Sequence, residues 1–105
     1  MSKMTGAKFI AETLHAYGVT HFFFMPVVIP DAMPHMERLG IKRIMAHAEK
    51  PAAYMADGYA RVSKKVAVCG AQSVGGMNLA AGIQDAYLAC SPVIALTGRL
   101  PQIEQ

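Results

Sequence analysis

Glu49 stands where a single carboxylate could do chemistry. It follows the short apolar run Ile41, Ile44, Met45 and Ala46, and it precedes Pro51 and the alanines Ala52, Ala53, Ala56 and Ala60. The run has strand length, the alanines recur at the three-and-four spacing of one helix face, and Pro51 suits a first helical turn, where its missing N–H costs nothing. Glu49 therefore falls between the carboxyl end of a buried parallel strand and the amino end of a helix. In open parallel sheets ligands sit at that end of the strands, and a carboxylate there can hold a proton for one. The same position also suits a purely structural acid, favoured near a helix N-terminus by a few tenths to about 1 kcal/mol.

The other reactive residue types are scattered. His15, His21, His35 and His47 are spread over the chain, and only His47 lies close to Glu49, which leaves a metal site without its third ligand. Cys69 and Cys90 lack metal-ligand spacing and read as small buried hydrophobes kept reduced. The loop GAQSVGGMN, residues 70–78, is rich in small residues but has neither G-x-G-x-x-G nor G-K-[ST]. It serves a tight strand-to-helix turn at least as well as a phosphate.

The elements that must position these residues can be taken in order. Thr5 is a suitable N-cap for a first helix whose face is Phe9, Ile10, Leu14 and Tyr17, closed by Gly18. Val19 to Met25, VTHFFFM, is a β-branched and aromatic run stopped by Pro26, and its three phenylalanines imply burial on both faces. Asp31 can cap a second helix with Pro34 in its first turn, Met36 and Leu39 facing inward and Gly40 as its stop. After the Ile41 strand and the Ala52 helix comes a third strand, Val66 to Cys69. The small-residue loop of residues 70–76 follows, and then a fourth helix marked by Asn78, Leu79, Ile83, Ala86 and Tyr87. Ser91-Pro92 ends that helix, and Val93 to Leu96 forms a fourth strand ending at Thr97-Gly98. Alternating helices and strands predict a three-layer α/β/α doubly wound parallel sheet of about four strands, in one domain over residues 1–105. Parallel strands would bring Met25-Pro26, Glu49, Ser73 to Asn78 and Thr97 to Arg99 to one rim.

Composition excludes several classes. The chain is 53% hydrophobic and only 16% charged, so much of its surface should be covered by a partner. The net charge of +3 is dispersed, with no basic stripe interleaved with aromatics, which argues against nucleic acid. No apolar run approaches the roughly 20 residues of a membrane span, and the N-terminus lacks a secretory h-region, so a cytoplasmic protein is expected. The sequence stops soon after its fourth strand, with LPQIEQ beyond Arg99, which predicts a fragment, a truncated reading frame or one piece of a split enzyme.

Three stretches carry a family resemblance. AEKPAAYMADGYAR, preceded by GVTHFFFMP and followed by AQSVGGMNLAAGIQDAYLACSPVIALTGRLP, resembles the pyrimidine-binding domain that opens acetolactate synthase-like thiamine diphosphate enzymes. The resemblance covers nearly the whole chain. It implies that Glu49 hydrogen-bonds N1′ of the cofactor's aminopyrimidine and favours the imino tautomer, whose nitrogen takes the thiazolium C2 proton. It implies further that Met25 and Pro26 lie beside the pyrimidine, that Asn78 lies near the same ring, and that Ser73 and Gly75 belong to the small-residue loop flanking them. The physical demand on Glu49 is a partly desolvated carboxyl able to share a proton.

The resemblance also implies what this chain needs from elsewhere. In the family, diphosphate and a divalent ion are bound by a second domain with a G-D-G…N signature, which this sequence lacks, so Mg²⁺ is expected on that domain and only the pyrimidine half of the cofactor here. A homodimer or a hetero-complex with a diphosphate-binding domain follows, with a 2-oxo acid as the small-molecule substrate. A flavin, bound by some relatives, has no residue here to support it. Departures from the family pattern fall on the substrate side: Ala48 and Lys50 flank Glu49 where His and Gln are common, Val27-Val28 replace two glycines, Ser73-Val74-Gly75 replaces Gly-Pro-Gly, and Arg99 replaces Gln. Lys50 and Arg99 could meet an anionic substrate or stand as solvated charges. Two other readings compete. A non-catalytic remnant or structural subunit that dimerises without cofactor turnover fits the low charge, and a dinucleotide-binding domain would use Glu49 on a ribose but lacks its glycine fingerprint.

Overall fold

Thr5 caps the first helix as its type suggests, its hydroxyl accepting from the Lys8 N–H at 3.2 Å. In the computed structural model, which describes residues 3–99, this helix is α1 (Gly6–Ala16). The ending Leu100 to Gln105 noted above lies outside the described residues. The inward face of α1 is Ala11 and Leu14 rather than the predicted stripe. Phe9 and Tyr17 are 60% and 75% exposed, because Ala7, Ile10, Ala11 and Leu14 already complete the stripe that meets the sheet. Gly18, at φ 81°, turns the chain into β1 (His21–Phe24).

After β1 the chain runs through a single 3₁₀ turn (Pro30–Ala32) into α2 (Met33–Arg38). Asp31 lies within the 3₁₀ turn instead of capping the helix, and Ala32 at the N-cap of α2 has no side-chain cap to offer. Gly40, at φ 76°, then leads into β2 (Lys42–Met45). This strand was expected to be buried; it lies at the sheet edge instead, with Lys42 and Met45 exposed, and only the flanking Ile41 and Ala46 are buried. α3 (Glu49–Ser63) and β3 (Ala67–Gln72) follow. The next helix, α4 (Val74–Leu88), starts four residues earlier than Asn78, and β4 (Val93–Gly98) follows. The predicted loop of residues 70–76 is thus almost absent. Gly70 to Gln72 extend β3, Gly75 and Gly76 belong to the first turn of α4, and Ser73 alone connects the two.

All four strands are parallel, in the order β2-β1-β3-β4. Phe22 and Phe23 point to opposite faces and anchor one core each. Phe22 joins Leu14, Val28, Met36 and Val68 under α1 and α2, and Phe23 joins Ala52, Ala56, Ala71 and Leu79 under α3 and α4. Burial of three successive phenylalanines on both faces, with Phe24 half-buried, is the doubly wound three-layer arrangement read from the sequence. α3 and α4 pack against each other through small residues. A Cβ on Gly82 would fall 2.7 Å from the Ala53 Cβ and 2.8 Å from the Lys50 carbonyl oxygen. No helix among the described residues is long and apolar enough to cross a membrane.

Candidate functional site

The direction of winding sets the location. From β1 the chain passes to β2 on one side, then crosses back over β1 to place β3 on the other, so the topological switch point lies between β1 and β3. Ligands of open α/β sheets bind outside the carboxyl ends of strands at such a point. The rim there is tied together by backbone hydrogen bonds: the Met25 N–H donates to the Gly70 carbonyl at 3.1 Å, that of Ala46 to Phe24 at 2.9 Å, and that of Ser73 to Gly98 at 2.8 Å.

Glu49 is the first residue of α3, three residues beyond Ala46, and is half-buried. The helix thus begins earlier than the Ala52 pattern suggested, with Pro51 still in its first turn. The carboxyl reaches toward the start of α4, where a Cβ on Gly75 would lie 2.9 Å from Oε1 and 3.4 Å from Cγ. Only a glycine at position 75 leaves this room. Neither Ala48 nor Ser73 caps its helix with a side chain, so the first-turn N–H groups of α3 and α4 are left uncapped on the side of the sheet where the carboxyl sits. Among the described residues Glu49 makes no side-chain hydrogen bond and no ion pair. Its lone pairs are therefore available to a ligand.

The other predicted residues divide into two groups. Met25 packs against the α3/α4 core, on the sheet face covered by the helix that Glu49 opens. Ser73 sits exposed at the end of β3, and Gly75 is the residue against which Glu49 rests. Pro26 and Asn78 are not drawn into this cluster. Pro26 is exposed and lines a recess on the α2 side, and Asn78 is exposed in the second turn of α4. Lys50 lays its stem against α4 at Gly82, and Arg99 is exposed beyond β4. His47 is exposed, and no group of three His, Cys, Asp or Glu comes together among the described residues. Cys69 is buried, and burial pushes its thiol up to about 11; Cys90, expected to be buried, is exposed at the end of α4.

Two features of the site escape sequence reasoning. Ser73 has φ 55° and ψ −125°, a conformation nearly restricted to glycine, and it makes the one-residue link between β3 and α4. Thr97 approaches Gly76, its Cγ2 3.3 Å from where a Cβ would stand, so the paired glycines admit Glu49 on one side and β4 on the other. The doubled glycine at a helix start was the available signal.

Residues 4–105 match the family model for the thiamine pyrophosphate enzyme, N-terminal TPP binding domain. The chain belongs to that family. Relatives include the acetolactate synthase of Arthrospira platensis, 40% identical over 108 residues and 97% of this chain, and the probable acetolactate synthase large subunit of Methanococcus aeolicus, 38% identical over 93% of it. A sulfoacetaldehyde acetyltransferase of Alcaligenes xylosoxydans xylosoxydans is 42% identical over 90% of it. The chain spans less than a fifth of the length of these relatives: 19%, 17% and 16% respectively. The site residues suit the pyrimidine half of thiamine diphosphate, the same compound as thiamine pyrophosphate. An unpaired, half-buried carboxyl faces a gap kept open by Gly75, and Met25 offers apolar surface on the same side.

Proposed function

We propose that the chain is the pyrimidine-binding portion of a thiamine diphosphate-dependent decarboxylase or carboligase that acts on a 2-oxo acid or a related acyl donor. The observation that carries this reading is the Glu49 carboxyl, free of partners among the described residues and resting against Gly75 in the first turn of α4. When bound, the cofactor supplies the electron sink for making or breaking a carbon–carbon bond. The work of this chain is narrower. Glu49 would hold a proton at a carboxyl oxygen for the pyrimidine ring nitrogen, Met25 would offer the ring apolar support, Gly75 keeps the space beside Oε1 clear, and Ser73 stands at the rim. Diphosphate and Mg²⁺ fall to a second domain, supplied by a homodimer or a hetero-complex. The similarity to both acetolactate synthases and a sulfoacetaldehyde acetyltransferase supports an acyl-transferring class. Lys50 and Arg99, which depart from the family pattern, would set the substrate side apart from acetolactate synthases, whereas Val27 and Val28 lie on the α2 face of the sheet.

Glu49→Gln tests the assignment. With a partner carrying the diphosphate-binding half, exchange of the cofactor C2 proton, followed by proton NMR, is expected to slow about 10²-fold or more, the usual scale for losing a positioned acid or base. Calorimetry should show the cofactor still bound by the variant. Unchanged exchange removes the assigned role.

A further inference from the structure

On the side of β1 away from Glu49, the same rim holds a recess of about 440 Å³ lined by Phe24, Pro26, Val27, Val28, Pro30, Met33 and Arg43. It is framed by the β1 exit loop, the start of α2 and the edge strand β2. Its walls are apolar except for one guanidinium. Arg43 pairs with Phe22 across the β1–β2 ladder, so its side chain shares the face of Phe22 and Phe24, whose rings stack at 5.5 Å. A cation in such a setting needs a partner, and Arg43 is poorly served. Among the described residues its Nε is buried without a hydrogen bond, and its ion pair is a single contact from Nη2 to Glu37 Oε1 at 3.8 Å, with the Glu37 side chain 72% exposed. A long, exposed pair of this kind contributes little.

An apolar recess of this volume with one under-satisfied guanidinium is the composition of a small-molecule site in which shape holds the body of the ligand and one polar group orients it. Arginine presents parallel N–H donors that match a carboxylate in two-point geometry, which Glu37 does not supply from its present position. We propose that this recess binds a small monocarboxylate with an apolar body, its carboxylate on Arg43 and its body against Val27, Val28 and Met33. Val27 and Val28 give the site its wall, and the reading does not depend on how Glu49 is used, because the two sites lie on opposite faces of the sheet.

Benzoate is the probe, with benzamide as its neutral counterpart. Titration of ¹⁵N-labelled protein should shift the Arg43 Nε–H signal and the Val28 and Met33 amides saturably with benzoate, and only weakly with benzamide. Arg43→Met, which keeps an apolar stem, should weaken benzoate about tenfold or more, the scale of a charge-assisted hydrogen bond. Glu37→Gln removes the competing carboxylate from an exposed position and should tighten benzoate by about two- to fivefold, the scale of a surface pair. That variant carries the test if Arg43→Met fails to fold. Absence of saturable shifts up to about 10 mM, far beyond a useful small-molecule affinity, would overturn the proposal. So would equal binding of benzamide, or benzoate binding unaffected by either substitution.

Discussion

At the scale of single residues, the site is governed by two adjacent backbone demands. Ser73 occupies a glycine-type conformation at φ 55° and ψ −125°, which costs about 1–3 kcal/mol for a residue with a Cβ. Ser73→Gly should therefore raise stability by about 1 kcal/mol after the extra chain entropy of glycine is counted, read as a higher urea midpoint at unchanged m-value. Gly75→Ala has the opposite character. Its new Cβ meets the far end of a flexible side chain, Glu49 Oε1 at 2.9 Å, and the Ala71 Cβ at 3.3 Å, so the fold should survive while the carboxyl is displaced. The expected signature is a stability change within about 1 kcal/mol together with a loss of C2-proton exchange approaching that of Glu49→Gln. His21 carries the pH dependence. Burial, then Lys42 and Lys65, hold its imidazole below the ordinary 6.5, while its Nδ1 meets the Thr20 hydroxyl at 2.8 Å. The unfolded chain then takes up a proton first, so this contribution is complete above pH 6.5 and is lost as pH falls from 6.5 through the depressed folded value. The urea midpoint should fall as the pH drops below about 6.5, and His21→Gln should flatten the drop.

At the scale of elements, the seam between α3 and α4 sets what can be substituted. Gly82 and Gly58 both lie within helices, yet they answer differently. A Cβ on Gly82 would strike the Ala53 Cβ at 2.7 Å and the Lys50 backbone oxygen at 2.8 Å, neither of which can give way, whereas one on Gly58 meets nothing within 4 Å. Gly58→Ala should stabilise by about 0.5–1 kcal/mol through helix propensity, while overpacking of about 1–3 kcal/mol should outweigh that gain in Gly82→Ala, so their melting temperatures move in opposite directions. The same elements show what was legible in the sequence. Order, parallel winding and the position of Glu49 follow from local patterns: a β-branched and aromatic run, an alanine stripe, a glycine stop. Boundaries near the site do not. Gly70, Ala71 and Gln72 look like loop residues because they are small or polar, but β4 pairs with each of them, and that long-range ladder turns them into strand. Val74 to Met77 look like loop because of their glycines, yet those glycines are what lets Glu49 and Thr97 approach a helix start. Phe9 and Tyr17 matched the helical period, but the sheet had no further surface to offer them.

At the scale of the whole molecule, the surface is the unfinished part. Val74 and Met77 on the first turn of α4 are 75% and 76% exposed, Tyr87 and Leu88 at its other end are 80% and 69%, and Val62 on α3 is 87%. Single exposed hydrophobes are ordinary, but Val74 and Met77 stand together at the start of α4 beside the candidate site, which suits an interaction surface. Under the proposed function the diphosphate of the cofactor would be held by a second protein, and the rim where Glu49 meets α4 is where that protein would stand. Val74 and Met77 flank Gly75 and Gly76 in sequence, and neither belongs to the core clusters, so charge placed there should spare the fold. The double variant Val74→Asp, Met77→Asp should keep the far-UV spectrum and the urea midpoint of the parent, surface changes being worth about 0.5 kcal/mol or less each. Sedimentation velocity should show the parent associated, with itself or with the diphosphate-binding partner, and the variant dissociated at the same concentration. Cofactor uptake should fall in parallel, since binding shared across two chains is lost when they separate. A variant that stays assembled would place the contact on another face and detach the exposed start of α4 from the site it borders.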